Sequence, residues 1–417
     1  MTRVLAIGRG APWLGPRSGG AIRRAALLRG AARVGRLDYV ALSPTHDGSP
    51  APPSEVHDVV HVPTTTRPTG ARGHLAWQVR AALHADAAPY ELTRVAVADP
   101  GRARVTIEQL CDAHDVVWFV DRLAAFLTGD VARAVSRPSI VDVEEVVGPR
   151  DRQQAALLRV RSSKSWGDRV RTRAQIAFLE RNARAWDDWG PRLGALATMC
   201  TVSNPGEVGA LAGVDTTVVP NGCDVPPKAA PRAAHTSCPV LLFHGHLGYE
   251  PNADAAEHLV RDVVPVLGGA LDGRDFEVRI VGRSTPAVEA LARLDPRVTV
   301  TGYVDDIGTE LDRADAVVVP LRMGSGTRLK ILEAMAACTP VVSTTVGCDG
   351  LDVVDAEHLL VADAPVAFAR ACARVVDDAL LRAHLVDHAY ELVAARYDWR
   401  AIEDQVAALT RARVAAP

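Results

Sequence analysis

Short apolar runs alternate along this chain with longer segments in which apolar residues recur at helical spacing. A short uninterrupted apolar run predicts a strand that is buried on both faces, as in a parallel sheet covered by helices. The predicted strands are Thr2–Gly8, Tyr39–Leu42, Val59–Val62, Val116–Val120, Ile140–Val143 and Thr198–Ser203 in the first half, and Val240–Phe243, Glu277–Val281, Val298–Thr301, Ala316–Leu321 and Val341–Thr344 in the second.

This alternation predicts an α/β fold. Strands separated by helices form parallel sheets with helices on both faces, and here the alternation begins anew in the second half. With 417 residues, the chain is long enough for two domains. We expect two doubly wound parallel-sheet domains facing a cleft, the first over residues 1–222 and the second over 223–397. A last helix within 398–417 is expected to pack back on the first domain.

Residues 316–345 combine a strand, a glycine loop, a helix and a second strand. The small residues of the loop Gly324–Thr327 let backbone N–H groups approach a ligand. Thr327 is the predicted N-cap of a helix over Arg328–Ala337. The unpaired N–H groups and the dipole at such a helix start favour an anion, so this stretch predicts a site for a phosphate-bearing ligand.

Two basic residues support the same interpretation, since Arg328 and Lys330 add positive charge near the start of the predicted helix. The alternative is an ordinary surface βαβ unit in which Lys330 pairs with Glu333, three residues further along the helix. A charged turn between two buried strands favours the ligand site, because open α/β sheets bind ligands in the crevice at their strand ends.

Composition restricts the partners and the compartment. The net charge of -3 argues against a dedicated nucleic-acid binder. Seven cysteines without a CxxC pair indicate neither a disulfide framework nor a zinc site. No apolar run is long enough to span a bilayer, and the N-terminal apolar stretch is too short for a signal peptide. We therefore expect a cytoplasmic protein in a reducing compartment.

The segment Pro149–Gly190 carries ten basic and five acidic residues together with Trp166, Phe178, Trp186 and Trp189. A basic, aromatic helical segment is typical of contact with an anionic membrane surface or an anionic acceptor. More often, such a segment is a solvated arginine-rich helix packed on a sheet edge. Peripheral contact with the inner membrane face through residues 150–190 is the less common of these two hypotheses, and both stay open.

With these motifs, the chain resembles the group 1 (family 4) glycosyltransferases, a large retaining family with two Rossmann-like domains in the GT-B architecture. The resemblance covers most of Val218–Leu360 in the family's order. The segments that carry it are Val218–Asp224, Phe243–Asn252, Ile280–Arg283, Thr301–Asp306, Pro320–Glu333, Pro340–Thr344 and Gly347–Leu351. The first half matches more loosely, through Gly19-Gly20 with Arg23 or Arg24 after it.

The resemblance implies a nucleotide-diphosphate sugar bound mainly by the second domain. Glu333 matches the acid that holds the ribose hydroxyls, and a carboxylate suits a diol because it accepts two hydrogen bonds. Tyr303 and Val304 would border the base, and Gly19-Gly20 would approach the diphosphate when the cleft closes. The implied donor-binding residues are Gly19, Gly20, Gly245, Arg283, Tyr303, Val304, Gly324, Ser325, Gly326, Thr327, Arg328, Lys330 and Glu333.

The second domain departs from the family pattern at two places. The position eight residues before Glu333, which is often acidic in the family, is Ser325. The loop Gly245–Tyr249 lacks the Arg and Lys that often follow the strand ending at Phe243. Arg328 and Lys330 would supply this positive charge instead, and Arg283 is a further candidate that is equally consistent with a surface residue.

The first domain lacks an evident match for the histidine that many members place near the reacting sugar. The equivalent stretch, Ile140–Val146, offers three acids, which are Asp142, Glu144 and Glu145. Asp121 and Arg122, at the end of the preceding strand, are competing candidates. The alternative is that these acids cap helices.

The implied reaction moves a sugar from a nucleotide-diphosphate donor to a hydroxyl of a glycan, glycolipid or secondary metabolite, with retention at the anomeric carbon. Lys330 would stabilise the departing diphosphate without a metal ion or a further cofactor. Asp142, Glu144 or Glu145 would stabilise the positive charge on the sugar ring. One alternative is a nucleotide-sugar 2-epimerase of the same architecture, which needs histidine and acidic residues for proton abstraction. The other is a non-catalytic partner subunit. The donor base, the acceptor and the oligomeric state are not predicted.

Overall fold

The computed structural model describes residues 1–13, 19–44, 51–66, 73, 76–77, 80, 87–134, 136–160, 165–211, 213–229, 238–324 and 328–415. The chain divides into two compact units, Met1–Pro220 together with Arg400–Pro417, and Asn221–Trp399. Each unit is built around one sheet, and the buried strands supply most of the core of each.

The first unit contains an eight-stranded sheet in the order β4-β3-β2-β1-β5-β6-β7-β8. Its strands are β1 Thr2–Arg9, β2 Gly35–Ser43, β3 Val56–Thr66, β4 Val95–Val97, β5 Val116–Phe119, β6 Ser139–Glu144, β7 Met199–Val202 and β8 Thr216–Val218. Neighbouring strands are parallel except β3 and β4, which pair antiparallel at one edge. The sequence did not predict β4, because three residues are too few to form a distinct apolar run.

Helices connect successive strands of the first unit. They are α1 Gly19–Ala32, α2 Tyr90–Thr93, α3 Pro100–Asp112, α4 Arg122–Ala134, α5 Val147–Val160 and α6 Trp166–Gly194, followed by a 3-10 helix over Pro205–Leu211. From β1 the sheet is extended in one direction to β3 and then, from β5 onward, in the other. This reversal is the doubly wound arrangement that the sequence predicted.

The second unit contains a six-stranded, fully parallel sheet in the order β11-β10-β9-β12-β13-β14. Its strands are β9 Val240–His244, β10 Glu277–Val281, β11 Val298–Gly302, β12 Ala316–Val319, β13 Val341–Ser343 and β14 Leu360–Val361. Its helices are α7 Glu250–His258, α8 Val264–Ala270, α9 Pro286–Glu289, α10 Ile307–Arg313, α11 Leu329–Ala336, α12 Pro365–Asp377 and α13 Ala379–Arg396, with a π-helical turn over Leu259–Val263 and a 3-10 turn over Ala290–Arg293.

The last helix, α14 Trp399–Ala415, returns to the first sheet. Thr410 Oγ1 accepts a 3.0 Å hydrogen bond from the buried Trp118 indole, and the Gln405 amide donates a 2.8 Å bond to the Val218 carbonyl. Gly30 of α1 lies so close to Val406 that a Cβ there would be 2.6 Å from the valine Cβ. The predicted return of the C-terminal helix to the first domain is confirmed.

Candidate active site

The strand order of the second sheet reverses between β9 and β12, and open α/β sheets bind ligands at such a switch point. His244 and Gly245 lie at the end of β9, and Pro320–Gly324 follows β12. Three of the predicted donor-binding residues, Ser325, Gly326 and Thr327, lie outside the described residues.

The helix after this loop begins one residue later than predicted. Its N-cap position is occupied by Arg328, whose side chain makes no capping hydrogen bond, so the prediction of Thr327 as N-cap is wrong. Arg328 is 7% exposed, and one guanidinium nitrogen donates a 3.4 Å hydrogen bond to the Val346 carbonyl. A Cβ on Gly324, whose φ is +140°, would lie 2.7 Å from the same guanidinium. The absence of a side chain at Gly324 therefore makes room for the Arg328 guanidinium.

Lys330 reaches from α11 to the end of β9. Its Nζ donates a 2.6 Å hydrogen bond to Asn252 Oδ1 and lies 4.4 Å from the centre of the Phe243 ring. Gly245 has a φ of +147°, and a Cβ there would lie 3.2 Å from the Lys330 ammonium. Burial and the nearby charge of Arg328 lower the pKa of Lys330 to about 7, which the carboxylate of Glu333 partly offsets.

Glu333 lies one turn along α11 from Lys330, beside a histidine that the sequence analysis did not select as a donor-binding residue. His244 Nδ1 is 3.8 Å from Glu333 Oε2, which is too long for a hydrogen bond. His244 is 4% exposed, and its Nε2 has no hydrogen-bond partner among the described residues. Burial, followed by the charge of Lys330, lowers the pKa of His244 to about 3, so the imidazole is neutral. The signal that could have identified His244 is its position at the strand end, next to Gly245.

We call His244, Gly245, Asn252, Lys330 and Glu333 the strand-end cluster. Burial raises the pKa of Glu333, and the charge of Lys330 opposes this shift. The cluster therefore combines a carboxyl group, an amine whose protonation changes near neutral pH and a neutral imidazole. Such a set can accept hydrogen bonds from a diol and stabilise an anion. An ion pair between Lys330 and Glu333, the alternative from the sequence, is not formed among the described residues, since the ammonium bonds Asn252 instead.

Three further predicted donor-binding residues follow neighbouring strands of the same sheet: Arg283, and the two residues predicted to border the base, Tyr303 and Val304. Arg283 follows β10, and its guanidinium carbon is 5.8 Å from the ring of Tyr303, which is 65% exposed. Val304 packs against the core of the second unit. The backbone joins these loops, because Gly282 donates a 2.8 Å hydrogen bond to the Gly302 carbonyl and Gly245 one of 2.9 Å to the Val281 carbonyl.

The adjacent acids Asp305 and Asp306 do not form a metal site. Asp306 is the N-cap of α10, and its carboxylate accepts hydrogen bonds from the Gly308 N–H at 2.9 Å and the Thr309 hydroxyl at 2.8 Å. These bonds hold the pKa of Asp306 below its usual range. Among the residues that the structure describes, no three His, Cys, Asp or Glu side chains are grouped closely enough to hold a metal ion.

In the first unit, the predicted catalytic Asp142 forms a buried ion pair with Arg23 of α1. Both residues are 1% exposed, and the two carboxylate oxygens accept bonds of 2.8 and 2.6 Å from the guanidinium. Thr201 donates a further 2.7 Å bond to Asp142 Oδ1, and Arg23 also donates to the Val219 carbonyl at 2.8 Å. Through these bonds, Arg23 and Asp142 hold α1 against β6, β7 and the end of β8.

Glu144 differs from Asp142, because it lies at the end of β6 with a φ of +62° and its side chain is only partly buried. Gly19 and Gly20 are the first residues of α1. A Cβ on Gly20 would lie 3.2 and 3.3 Å from the two carboxylate oxygens of Glu144. Burial raises the pKa of Glu144, and the charge of Arg122 opposes this shift.

The remaining acidic candidates of the first unit have structural partners. Asp121 accepts 2.9 Å hydrogen bonds from the backbone N–H groups of Arg9 and Ala124, which ties β1 to the start of α4. Glu145 lies 3.4 Å from Arg150 and 3.8 Å from Arg122. The helix-cap alternative is therefore correct for Asp121, and Glu144 is the acid of this group that lies against the start of α1.

Residues 238–378 match the family model described as Glycosyl transferases group 1. Sucrose-phosphate synthase from Thermosynechococcus elongatus is 18% identical with a TM-score of 0.69, over 100% of both chains. HepE from Anabaena, in complex with UDP and glucose, is 14% identical with a TM-score of 0.62, over 99% of this chain and 100% of that one. A glycosyltransferase from Rickettsia africae is 12% identical with a TM-score of 0.59, over 100% of this chain and 99% of that one.

No curated protein sequence matches this chain significantly. At identities this low, the structural likeness establishes the fold, while the family model identifies the domain that contains the strand-end cluster. None of the helices formed by the described residues is both long and apolar enough to cross a bilayer. The chain therefore has the GT-B fold, carries a domain of the glycosyl transferases group 1 family, and is a glycosyltransferase.

Proposed function

We propose that this enzyme transfers a sugar from a nucleotide-diphosphate sugar to a hydroxyl acceptor, with retention at the anomeric carbon. The observation that carries the proposal is the strand-end cluster, in which Lys330 and Glu333 lie on one helix at the switch point of the second sheet. The complex of HepE with UDP and glucose supports a uridine nucleotide as the first donor to test.

In this proposal Glu333 accepts hydrogen bonds from the ribose hydroxyls, and Lys330 stabilises the diphosphate. The ammonium lies beside Gly245, where an added Cβ would be only 3.2 Å away, so the glycine leaves space for a ligand to approach the cation. As the bond to the sugar breaks, negative charge accumulates on the diphosphate, and a fixed cation stabilises the departing group. Arg283 and Tyr303 are assigned to the base, since together they form an exposed flat surface.

Among the first-unit acids we assign Glu144, and not Asp142, to the positive charge that develops on the sugar ring. Asp142 is occupied by Arg23 and Thr201, whereas Glu144 forms no hydrogen bond through its carboxylate among the described residues. A carboxylate near an oxocarbenium-like centre lowers the energy of that positively charged centre. Glu333, Lys330 and Glu144 are therefore the proposed donor-binding and catalytic side chains.

The transfer proposal is tested by incubating the protein with UDP-, GDP-, ADP- and dTDP-sugars and a panel of hydroxyl acceptors, with release of nucleoside diphosphate as the readout. NMR of the product should give the same anomeric configuration as the donor. An inverted product would contradict retention. Tight nucleotide binding without turnover against every acceptor would favour a non-catalytic subunit.

A nucleotide-sugar 2-epimerase is the second candidate, because His244 and Glu333 place an imidazole and a carboxylate side by side. Proton abstraction needs such a base. Incubation of the protein with a UDP-sugar in D2O and without acceptor separates the two candidates. Under our proposal NMR shows the unchanged sugar or its hydrolysis, whereas an epimer carrying deuterium would identify the alternative.

A further inference from the structure

About three turns at the start of α6 are exposed to solvent on their outer side. The first buried residue of this helix is Leu179, thirteen positions after its first residue, Trp166. The helix is regular from its beginning, because Ser165 Oγ accepts a 3.1 Å hydrogen bond from the Asp168 N–H and donates one of 2.7 Å to the Asp168 carboxylate. From Leu179 onward, buried residues anchor the helix to the first unit.

One face of this exposed section is apolar. Trp166 is 75% exposed and Val170 is 46% exposed, whereas most large apolar side chains of the described chain are buried. Ala174 and Ala177 are also exposed and follow at positions i+8 and i+11 from Trp166, so the four side chains share one side of the helix. Leu179 lies on the opposite side, which directs the apolar stripe away from the first unit.

Positive charge borders this stripe. Arg169 and Arg173 lie along one edge and Arg171 along the other, and all three are exposed. Asp168, the acidic residue of this section, lies on the side of Leu179 and is engaged by Ser165 and Arg171. Within the described chain, Arg169 and Arg173 form no ion pair, so their charge is available at the surface. We call Trp166, Val170, Ala174, Ala177 and these three arginines the α6 stripe.

We propose that the α6 stripe is a docking surface for a bilayer that contains anionic lipid. An amphipathic helix with tryptophan on its apolar side and arginine on its edges lies in the plane of the membrane interface. The aromatic ring enters the headgroup region while the guanidinium groups pair with lipid phosphates. The net charge of the whole chain is -3, so the attraction depends on this local cluster and not on overall charge. The proposal does not depend on the transfer reaction proposed above.

The test is sedimentation of the full-length protein with sucrose-loaded vesicles of phosphatidylcholine alone or with phosphatidylglycerol, in the absence of donor. We expect binding to the anionic vesicles, and release as salt is raised. Arg169→Gln with Arg173→Gln should weaken partitioning roughly 30-fold, at about fivefold for each arginine near the surface. Trp166→Ala should weaken it on the order of tenfold, because the buried aromatic area is lost.

Matched controls lie on other surfaces of the protein. Arg102→Gln with Arg293→Gln removes two other exposed arginines, and Leu380→Ala removes an apolar side chain that is 85% exposed, so neither should change partitioning. Tryptophan emission gives an independent readout, since wild type should shift to the blue with anionic vesicles while Trp166→Phe should not. Circular dichroism checks that each variant is folded.

Several results would overturn the proposal. They are equal binding to neutral and anionic vesicles, no binding to either, or equal losses in the control variants. A dimer that dissociates on Trp166→Ala, seen by light scattering without lipid, would assign the α6 stripe to a second copy of the chain and would also overturn it. Because none of these measurements uses donor turnover, they are independent of whether the transfer proposal succeeds.

Discussion

Lys330 and Asn252 join α11 to α7 across the end of β9, through a 2.6 Å hydrogen bond from the ammonium to the amide oxygen. The same ammonium lies over the Phe243 ring and beside Gly245. Because burial lowers the pKa of Lys330 to about 7, its charge in the free protein depends on pH in the neutral range. This relationship connects the packing of the second unit to the electrostatics of its ligand site.

The first prediction concerns proton uptake by Lys330. A bound diphosphate stabilises the ammonium and therefore raises its pKa above about 7, so the ligand binds the protonated form preferentially. Below this pKa Lys330 is already protonated, so its titration should not change the affinity for UDP. The affinity should fall as pH rises from 7 to 9, by up to about tenfold for each pH unit. Calorimetric titration in buffers of different ionisation enthalpy measures both the affinity and the protons taken up.

The control for this prediction is Lys330→Arg, in which the cation is permanent, so the affinity for UDP should vary much less between pH 7 and 9. Uridine is the matched ligand, since it lacks the diphosphate and should bind wild type with little dependence on pH. A slope that is equal for UDP and uridine would show that Lys330 does not contact the diphosphate.

The second prediction concerns Glu333. Replacing it by Gln removes the charged acceptor of the ribose hydroxyls and should raise the KM for the donor about tenfold to hundredfold, with a smaller change in kcat. Steady-state kinetics with UDP-sugar measures the split. The 2′-deoxy nucleotide is the matched ligand, because it should lose less affinity on Glu333→Gln than UDP does. An unchanged KM would remove Glu333 from this role.

The third prediction concerns Glu144. Glu144→Gln should lower kcat on the order of a hundredfold and leave the donor KM nearly unchanged, because the charge of this residue acts on the reacting sugar. The matched control is Glu145→Gln, next to it in the chain, whose partners are Arg122 and Arg150. If both variants retain wild-type kcat, the acid that supports the sugar lies elsewhere.

The fourth prediction concerns Asp142. Asp142→Asn leaves the buried Arg23 without its counter-charge, and such a loss costs about 3–5 kcal/mol of the free energy of unfolding. Urea denaturation followed by circular dichroism measures it, with the exposed Asp112→Asn as control. The expected result is a stability loss well above that of the control. A variant that is as stable as wild type but inactive would instead make Asp142 catalytic.

Much of the fold follows from local patterns. Val317 and Val341 are paired neighbours in adjacent strands, and each lies in an apolar run that was identified as a strand from the sequence. Such runs are informative because a strand buried on both faces excludes polar residues throughout. Element boundaries were less accurate, as at Arg328, because the cap of a helix depends on how the preceding loop is folded.

The candidate site was predicted in part. Lys330 and Glu333 were selected because their motif and helix spacing are local features, and the structure places both at the strand-end switch point. His244 was not selected as a ligand-binding residue. Its position at a strand end next to Gly245 was a local signal, but its proximity to Glu333 is a long-range contact that the sequence does not show. Contacts between β9 and α11 form only when the sheet is assembled.

The sequence by itself determined the two largely parallel sheets and the glycine-containing loop after β12. Both follow from short apolar runs and turn residues, which are patterns that span only a few positions. The tertiary structure alone decided which acid has which partner. Arg23 selects Asp142 over Glu144 across 119 positions, and that choice depends on how α1 packs against β6. Charge pairing in a buried site follows distances in space, and the order of residues along the chain contains no direct record of those distances.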